Sequence, residues 1–91
     1  MAEFLLEFYV AQTDGAAVER GAERTRLAAE ELTREGTPVR YLRSIFVPED
    51  ETCFFLYEAA SADTVREAAE RAELRFERVT EAVAEPRGET R

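Results

Sequence analysis

Three side chains that could do chemistry stand out from their surroundings: the carboxylate of Glu7, the guanidinium of Arg43 and the thiol of Cys53. Glu7 lies within an apolar run, where a carboxylate is costly unless it is paired or hydrated. It is therefore a candidate metal ligand or general base, or one half of an ion pair with Arg43 or with an arginine of a partner chain. Cys53 is a candidate thiolate ligand or nucleophile, although a lone cysteine among apolar residues is more often a small buried hydrophobe.

The three tyrosines form a second group of candidates. Because their rings are amphipathic, Tyr9, Tyr41 and Tyr57 could line a small-molecule cleft between a sheet and a partner subunit. They could equally be packing residues of an interface. The acidic run from Glu49 to Glu51 lacks the spaced oxygen ligands of a calcium loop, and we expect it to be a solvated turn.

The composition excludes several functional classes. Histidine is absent from the 91 residues and cysteine occurs once, so the chain cannot build a histidine-dependent triad, an internal disulfide or a multi-cysteine zinc site. The net charge of -8 argues against nucleic acid and against an anionic membrane surface as partners. No apolar run reaches the length of a membrane span and the N-terminus does not resemble a signal peptide, so we expect a cytoplasmic protein.

The apolar pattern predicts the elements that position these residues. Alternating residues predict a first strand over 3–11, with Leu5, Glu7 and Tyr9 on one face. Apolar residues at three- and four-residue spacing predict helices over 16–35 and 62–72, the first capped by Thr13 or Asp14. Two runs over 39–47 and 52–58, split by an acidic turn, predict a β-hairpin, and a weaker strand follows over 78–85.

The element order predicts the fold. A β-α-β-β-α-β order is typical of the ferredoxin-like α+β class, a four-stranded antiparallel sheet with two helices on one face. We expect a single domain over 1–85 and a polar C-terminal tail over 86–91. The third strand is apolar on both sides, so the uncovered sheet face predicts a homodimer through that face.

Short stretches spread over nearly the whole chain resemble a known family of small ferredoxin-like proteins. They resemble the domain-of-unknown-function 4242 family, whose best-described type binds nickel. The matching stretches are Phe4 to Glu7, Tyr41 to Ile45, Pro48 to Glu51, Thr52 to Ala59, Val65 to Ala68 and Glu77 to Ala82.

The resemblance implies a nickel site, whereas the residues by themselves predict no cofactor. Glu7, Tyr41 and Cys53 are the metal ligands that this chain would contribute at the position the resemblance indicates. The family's usual histidines in the second strand and second helix are replaced here by Arg43 and Ala68. Nickel prefers imidazole, and a guanidinium cannot take its place as a ligand.

Three functions stay open at this point. The pattern favours a small binding or accessory protein over an enzyme, and it assigns no catalytic residue. The first alternative is a small enzyme of the dimeric α+β barrel type, which would handle an organic substrate on the open sheet face with Glu7, Arg43 and the tyrosines. The second alternative is a structural or regulatory dimerisation module.

Overall fold

The computed structural model describes residues 1–83 and contains one antiparallel sheet and two α-helices. The elements are β1 Ala2–Tyr9, α1 Gly15–Arg34, β2 Val39–Val47, β3 Thr52–Ala59, α2 Ala62–Arg71 and β4 Arg78–Ala82. The strand order is β2-β3-β1-β4. This arrangement confirms the predicted ferredoxin-like α+β fold, and each helix ends within one residue of its predicted bound. The predicted tail over 86–91 lies outside the described residues.

One face of the sheet carries the hydrophobic core. Alternate residues of β1 and β3 point toward the helices, among them Leu6 and Phe55, which are both fully buried. Helix α1 can approach the sheet closely because its inner stripe is made largely of small residues. At Gly21 an added Cβ would lie 3.3 Å from Leu74 and 3.4 Å from the ring of Phe55, so the glycine sets this approach.

The helices end at residues that commonly cap helices, although the predicted cap of α1 does not form. The Ser61 hydroxyl accepts a hydrogen bond from the backbone N–H of Thr64, as expected of an N-cap. Asp14 occupies the N-cap position of α1 but makes no capping hydrogen bond, and its carboxylate instead lies 3.8 Å from the guanidinium of Arg20. Gly36 follows α1 with a φ of 102°, a conformation that glycine adopts without strain.

A β-bulge in β2 decides which side chains share a face. Tyr41 pairs with Tyr57 and Arg43 pairs with Leu56, so Leu42 is an extra residue in the ladder. Without the bulge, Arg43 would share the helix-covered face with Val39 and Tyr41, because strand side chains alternate. With it, Arg43 lies on the opposite face, beside Leu56.

The two helices were also compared with the requirements of a transmembrane span. Over residues 1–83, neither helix combines the length and the apolar character that a transmembrane span requires.

Candidate functional site

The face of the sheet opposite the helices is apolar at its centre. Residues paired across strands share a face, which places Ile45, Phe54 and Glu7 in one row and Arg43, Leu56 and Leu5 in the next. Phe54, Leu56 and Leu5 are half-buried, and Ile45 is 44% exposed. No helix among residues 1–83 covers this surface, which is called the open face below.

Charged side chains border the apolar centre of the open face. Arg78 Nε donates a hydrogen bond of 2.9 Å to Glu7 Oε1, and Arg40 donates one of 3.1 Å to Glu58. The ion pair predicted between Glu7 and Arg43 is not formed within the chain, because β3 lies between β1 and β2 and separates the two side chains. Among the described residues, Arg43 has no carboxylate oxygen within 4.0 Å, although it does lie on the same face as Glu7.

The three residues predicted as metal ligands do not meet in one chain. Glu7 lies on the open face, whereas Cys53 and Tyr41 lie on the helix-covered face, where Cys53 pairs with Phe8. Cys53 is fully buried, and burial raises the pKa of its thiol to about 11. Within residues 1–83 there is no group of three histidine, cysteine, aspartate or glutamate side chains placed to hold a metal ion.

The three tyrosines also divide between the two faces. Tyr9 lies on the open face and is 62% exposed. Tyr57 is buried beneath α1, its hydroxyl shares a hydrogen bond with the Thr25 hydroxyl, and burial raises its pKa. Tyr41 packs edge-on against Phe55 and Tyr57, with ring centroids 5.3 and 5.9 Å apart. Tyr41 and Tyr57 are cross-strand partners on the helix-covered face, so the three tyrosines predicted to line a cleft or an interface do not share one face of the sheet.

An acidic hollow at one end of the open face combines residues that the sequence pattern did not connect. It has a volume of about 470 Å³ and is lined in part by Glu7, Asp50, Glu51, Glu77 and Arg78. The backbone N–H of Glu77 donates to the carbonyl of Glu7 at 2.7 Å. This hydrogen bond holds the residue that precedes β4 beside β1. Only the tertiary fold shows this, because Glu77 is 70 residues away along the chain from Glu7.

The acidic turn has a structural role in this hollow. The Glu51 carboxylate accepts a hydrogen bond of 2.9 Å from the backbone N–H of Gln12, and the Glu51 carbonyl accepts one of 3.1 Å from Val10. The turn thereby holds the segment after β1 in place. Glu49 and Asp50 are exposed, as expected of a solvated turn.

The element order and the open sheet face define a ferredoxin-like α+β protein with one uncovered face. The sequence profile of a family described as nickel responsive protein, SCO4226-like, matches residues 9–82. The chain therefore belongs to the SCO4226-like family of nickel-responsive proteins. This supports the family resemblance seen in the short motifs, while the label domain-of-unknown-function 4242 is not confirmed.

A solved structure supports the fold independently. The crystal structure of SCO4226 from Streptomyces coelicolor A3(2) matches with a TM-score of 0.72 and 21% sequence identity, over 93% of this chain and 100% of that chain. At this level of identity the likeness carries the fold alone. No curated protein sequence matches the chain.

Proposed function

We propose that this chain is a small homodimeric binding protein of its nickel-responsive family, and that two open faces pack together to form the working unit. The observation that carries the proposal is the apolar centre of the open face, formed by Leu5, Ile45, Phe54 and Leu56. An apolar surface that no described element covers is typical of an association surface. A domain of this size also has a small core of its own, so association would add to its stability.

The charges on the open face favour a second copy of the same chain as the partner. A two-fold dimer contact is isologous, so each copy presents the same face to the other. The face carries carboxylates at Glu3, Glu7 and Glu58 together with Arg43, for which the described residues supply no partner. An antiparallel approach of two such faces could place each Arg43 near a carboxylate of the other copy while the apolar centres meet.

The dimer is tested with a matched pair of charge substitutions. Ile45 on the open face and Leu27 on α1 are both exposed large apolar residues, at 44% and 49%. We expect the wild-type chain to sediment as a dimer at micromolar concentration, Ile45→Glu to sediment as a monomer, and Leu27→Glu to remain dimeric. A wild-type monomer at millimolar concentration, or an Ile45→Glu dimer as tight as the wild type, would contradict the proposal.

The donor set of this chain does not fit the nickel chemistry that the family description suggests. Nickel is held well by imidazole, and the full sequence contains no histidine. Cys53 could serve as a ligand only as a thiolate, but it is fully buried and its thiol pKa is raised by that burial. Glu7 lies on the other face of the sheet. We therefore extend the proposal to a binding role that does not use a histidine-based nickel site.

Calorimetric titration of the folded chain with nickel chloride tests this part of the proposal. We expect no saturable heat with the wild-type chain. The Arg43→His variant restores an imidazole on the face that carries Glu7, and any weak binding that it gains would identify the missing imidazole as the limiting ligand. Stoichiometric binding of nickel by the wild-type chain at micromolar affinity would refute the proposal of a nickel-independent role.

A further inference from the structure

A groove lies between the C-terminal half of α1 and the first residues of β2. Its volume is about 440 Å³, which is within the range of small-molecule sites. It opens beside the outer edge of the sheet on the helix-covered side, and Arg40 is the residue of its lining that also borders the open face. The proposed dimer does not use it, although Tyr41, one of the candidate metal ligands, lies on its floor.

The floor of the groove is apolar and fixed in place. Ala29 and Val39 are buried, and the ring of Tyr41 is held edge-on by Phe55. The Thr33 hydroxyl donates to the Val39 carbonyl at 3.0 Å and accepts from the Val39 N–H at 3.1 Å. These two hydrogen bonds join the start of β2 to α1, so the groove is formed before any ligand arrives.

The rim of the groove is positively charged in an otherwise acidic chain. Arg26, Arg34 and Arg40 line it, against a single carboxylate from Glu30, although Arg40 is paired with Glu58. Burial raises the pKa of the Tyr41 phenol on the floor of the groove, so this ring stays neutral at physiological pH. Arg26 also pairs with Glu23 on its own helix, whereas Arg34 has no carboxylate oxygen within 4.0 Å among the described residues.

We propose that this groove binds a small aromatic carboxylate. Its ring would lie on the apolar floor beside Tyr41, and its carboxylate would accept hydrogen bonds from Arg34 and Arg26. A guanidinium suits this role because its planar donors match a carboxylate. A ring on an apolar floor with one charged group at the rim is the common composition of small-ligand sites.

The structure favours a small molecule over an extended peptide at the same place. Strand β2 is an edge strand and could in principle accept a further strand. However, the bulge at Leu42 interrupts its ladder, and Arg40 and Arg43 flank the bulge. Bulges and charged side chains are the features that keep edge strands from pairing with other chains.

The test is a titration of the isotope-labelled full-length chain, followed by backbone amide NMR shifts. The probe is 1-naphthoate, and the neutral 1-naphthamide of the same shape is the control ligand. We expect saturable shifts centred on Ala29, Thr33 and Val39, and binding of the amide about tenfold weaker, because it lacks the charge that the arginines pair with.

Matched variants separate the groove from general attraction to arginine. Arg34→Gln should weaken naphthoate binding about three- to tenfold. Arg66→Gln on α2, which removes an exposed arginine paired with Asp63, should leave the affinity unchanged. Shifts that do not saturate at millimolar naphthoate, shifts centred elsewhere, or equal effects of the two variants would overturn the proposal. Tighter binding of an acidic peptide, with shifts along 43–47, would assign the groove to a peptide instead.

Discussion

The two faces of the sheet can be compared along a single strand. In β3, Cys53, Phe55 and Tyr57 point toward the helices and are fully buried, whereas Phe54 and Leu56 point to the open face and are half-buried. The residue types are similar on the two sides, so side-chain chemistry does not account for the difference. The difference arises because α1 and α2 both pack on one side, whereas no helix among residues 1–83 covers the open face.

The faces also satisfy their polar groups in different ways. On the covered face, the hydroxyls of Thr25 and Tyr57 pair with each other, so no charge is buried. On the open face, the carboxylate of Glu7 accepts a hydrogen bond from Arg78 and remains partly exposed, at 27%. The covered face therefore buries only neutral polar groups, while the open face retains charged side chains at its surface.

The largest expected difference between the faces is in their response to truncation of adjacent phenylalanines. Phe55→Ala removes a fully buried ring that contacts Phe8 and Tyr41, and we expect a loss of about 3–5 kcal/mol in the free energy of unfolding. Phe54→Ala should cost about 1 kcal/mol at low protein concentration, because its ring is half-buried in one chain. Urea unfolding followed by circular dichroism measures both.

Varying the protein concentration distinguishes the two faces further, with the same Phe54→Ala and Phe55→Ala variants. If the open face is a dimer interface, the cost of Phe54→Ala should rise with concentration, since dimerisation stabilises only the wild-type surface. The cost of Phe55→Ala should stay nearly constant. Equal costs of the two variants at every concentration would show that the faces do not differ in this way.

A second prediction concerns the alkaline stability of the covered face. Burial raises the pKa of the Cys53 thiol from 9.0 to about 11, because the thiolate is poorly solvated there. The unfolded chain ionises this thiol at the lower pH, so the stability contributed by the neutral buried thiol is complete below pH 9 and is lost as the pH rises through about 11. Urea unfolding between pH 8 and about 11 should therefore show a falling free energy of unfolding.

The matched variant for this prediction is Cys53→Ala. Its free energy of unfolding should fall less steeply over the same pH range, although some fall remains because burial also raises the pKa values of Tyr41 and Tyr57. Identical pH profiles for the variant and the wild type would mean that the thiol is not protected in the folded state.

The smallest expected effect is at the ion pair on the open face. Arg78→Gln removes the 2.9 Å hydrogen bond to Glu7, and we expect a loss of less than about 1 kcal/mol because the Arg78 side chain is 72% exposed. Thermal unfolding in low and high salt measures the change, and the difference between wild type and variant should shrink in high salt. A loss comparable to that of Phe55→Ala would show that Glu7 is far less hydrated than its exposure indicates.

Much of the fold follows from local patterns. Alternation in β1 predicted the faces of Leu5, Glu7 and Tyr9 correctly, and the apolar spacing predicted both helices to within one residue at their ends. The candidate site was less predictable. The metal site proposed at Glu7, Tyr41 and Cys53 required that β1, β2 and β3 present these side chains on the same face of the sheet. The structure places Glu7 on one face and the other two residues on the opposite face.

What the sequence determined by itself is the order of elements, the absence of histidine and the apolar character of both sides of β3, because these depend only on residue types and short-range periodicity. What only the tertiary structure decided is the register: the extra residue at Leu42 moves Arg43 to the open face, and β4 brings Arg78 to Glu7. A bulge of one residue reverses every later side chain in a strand, and no local pattern in this sequence marks it.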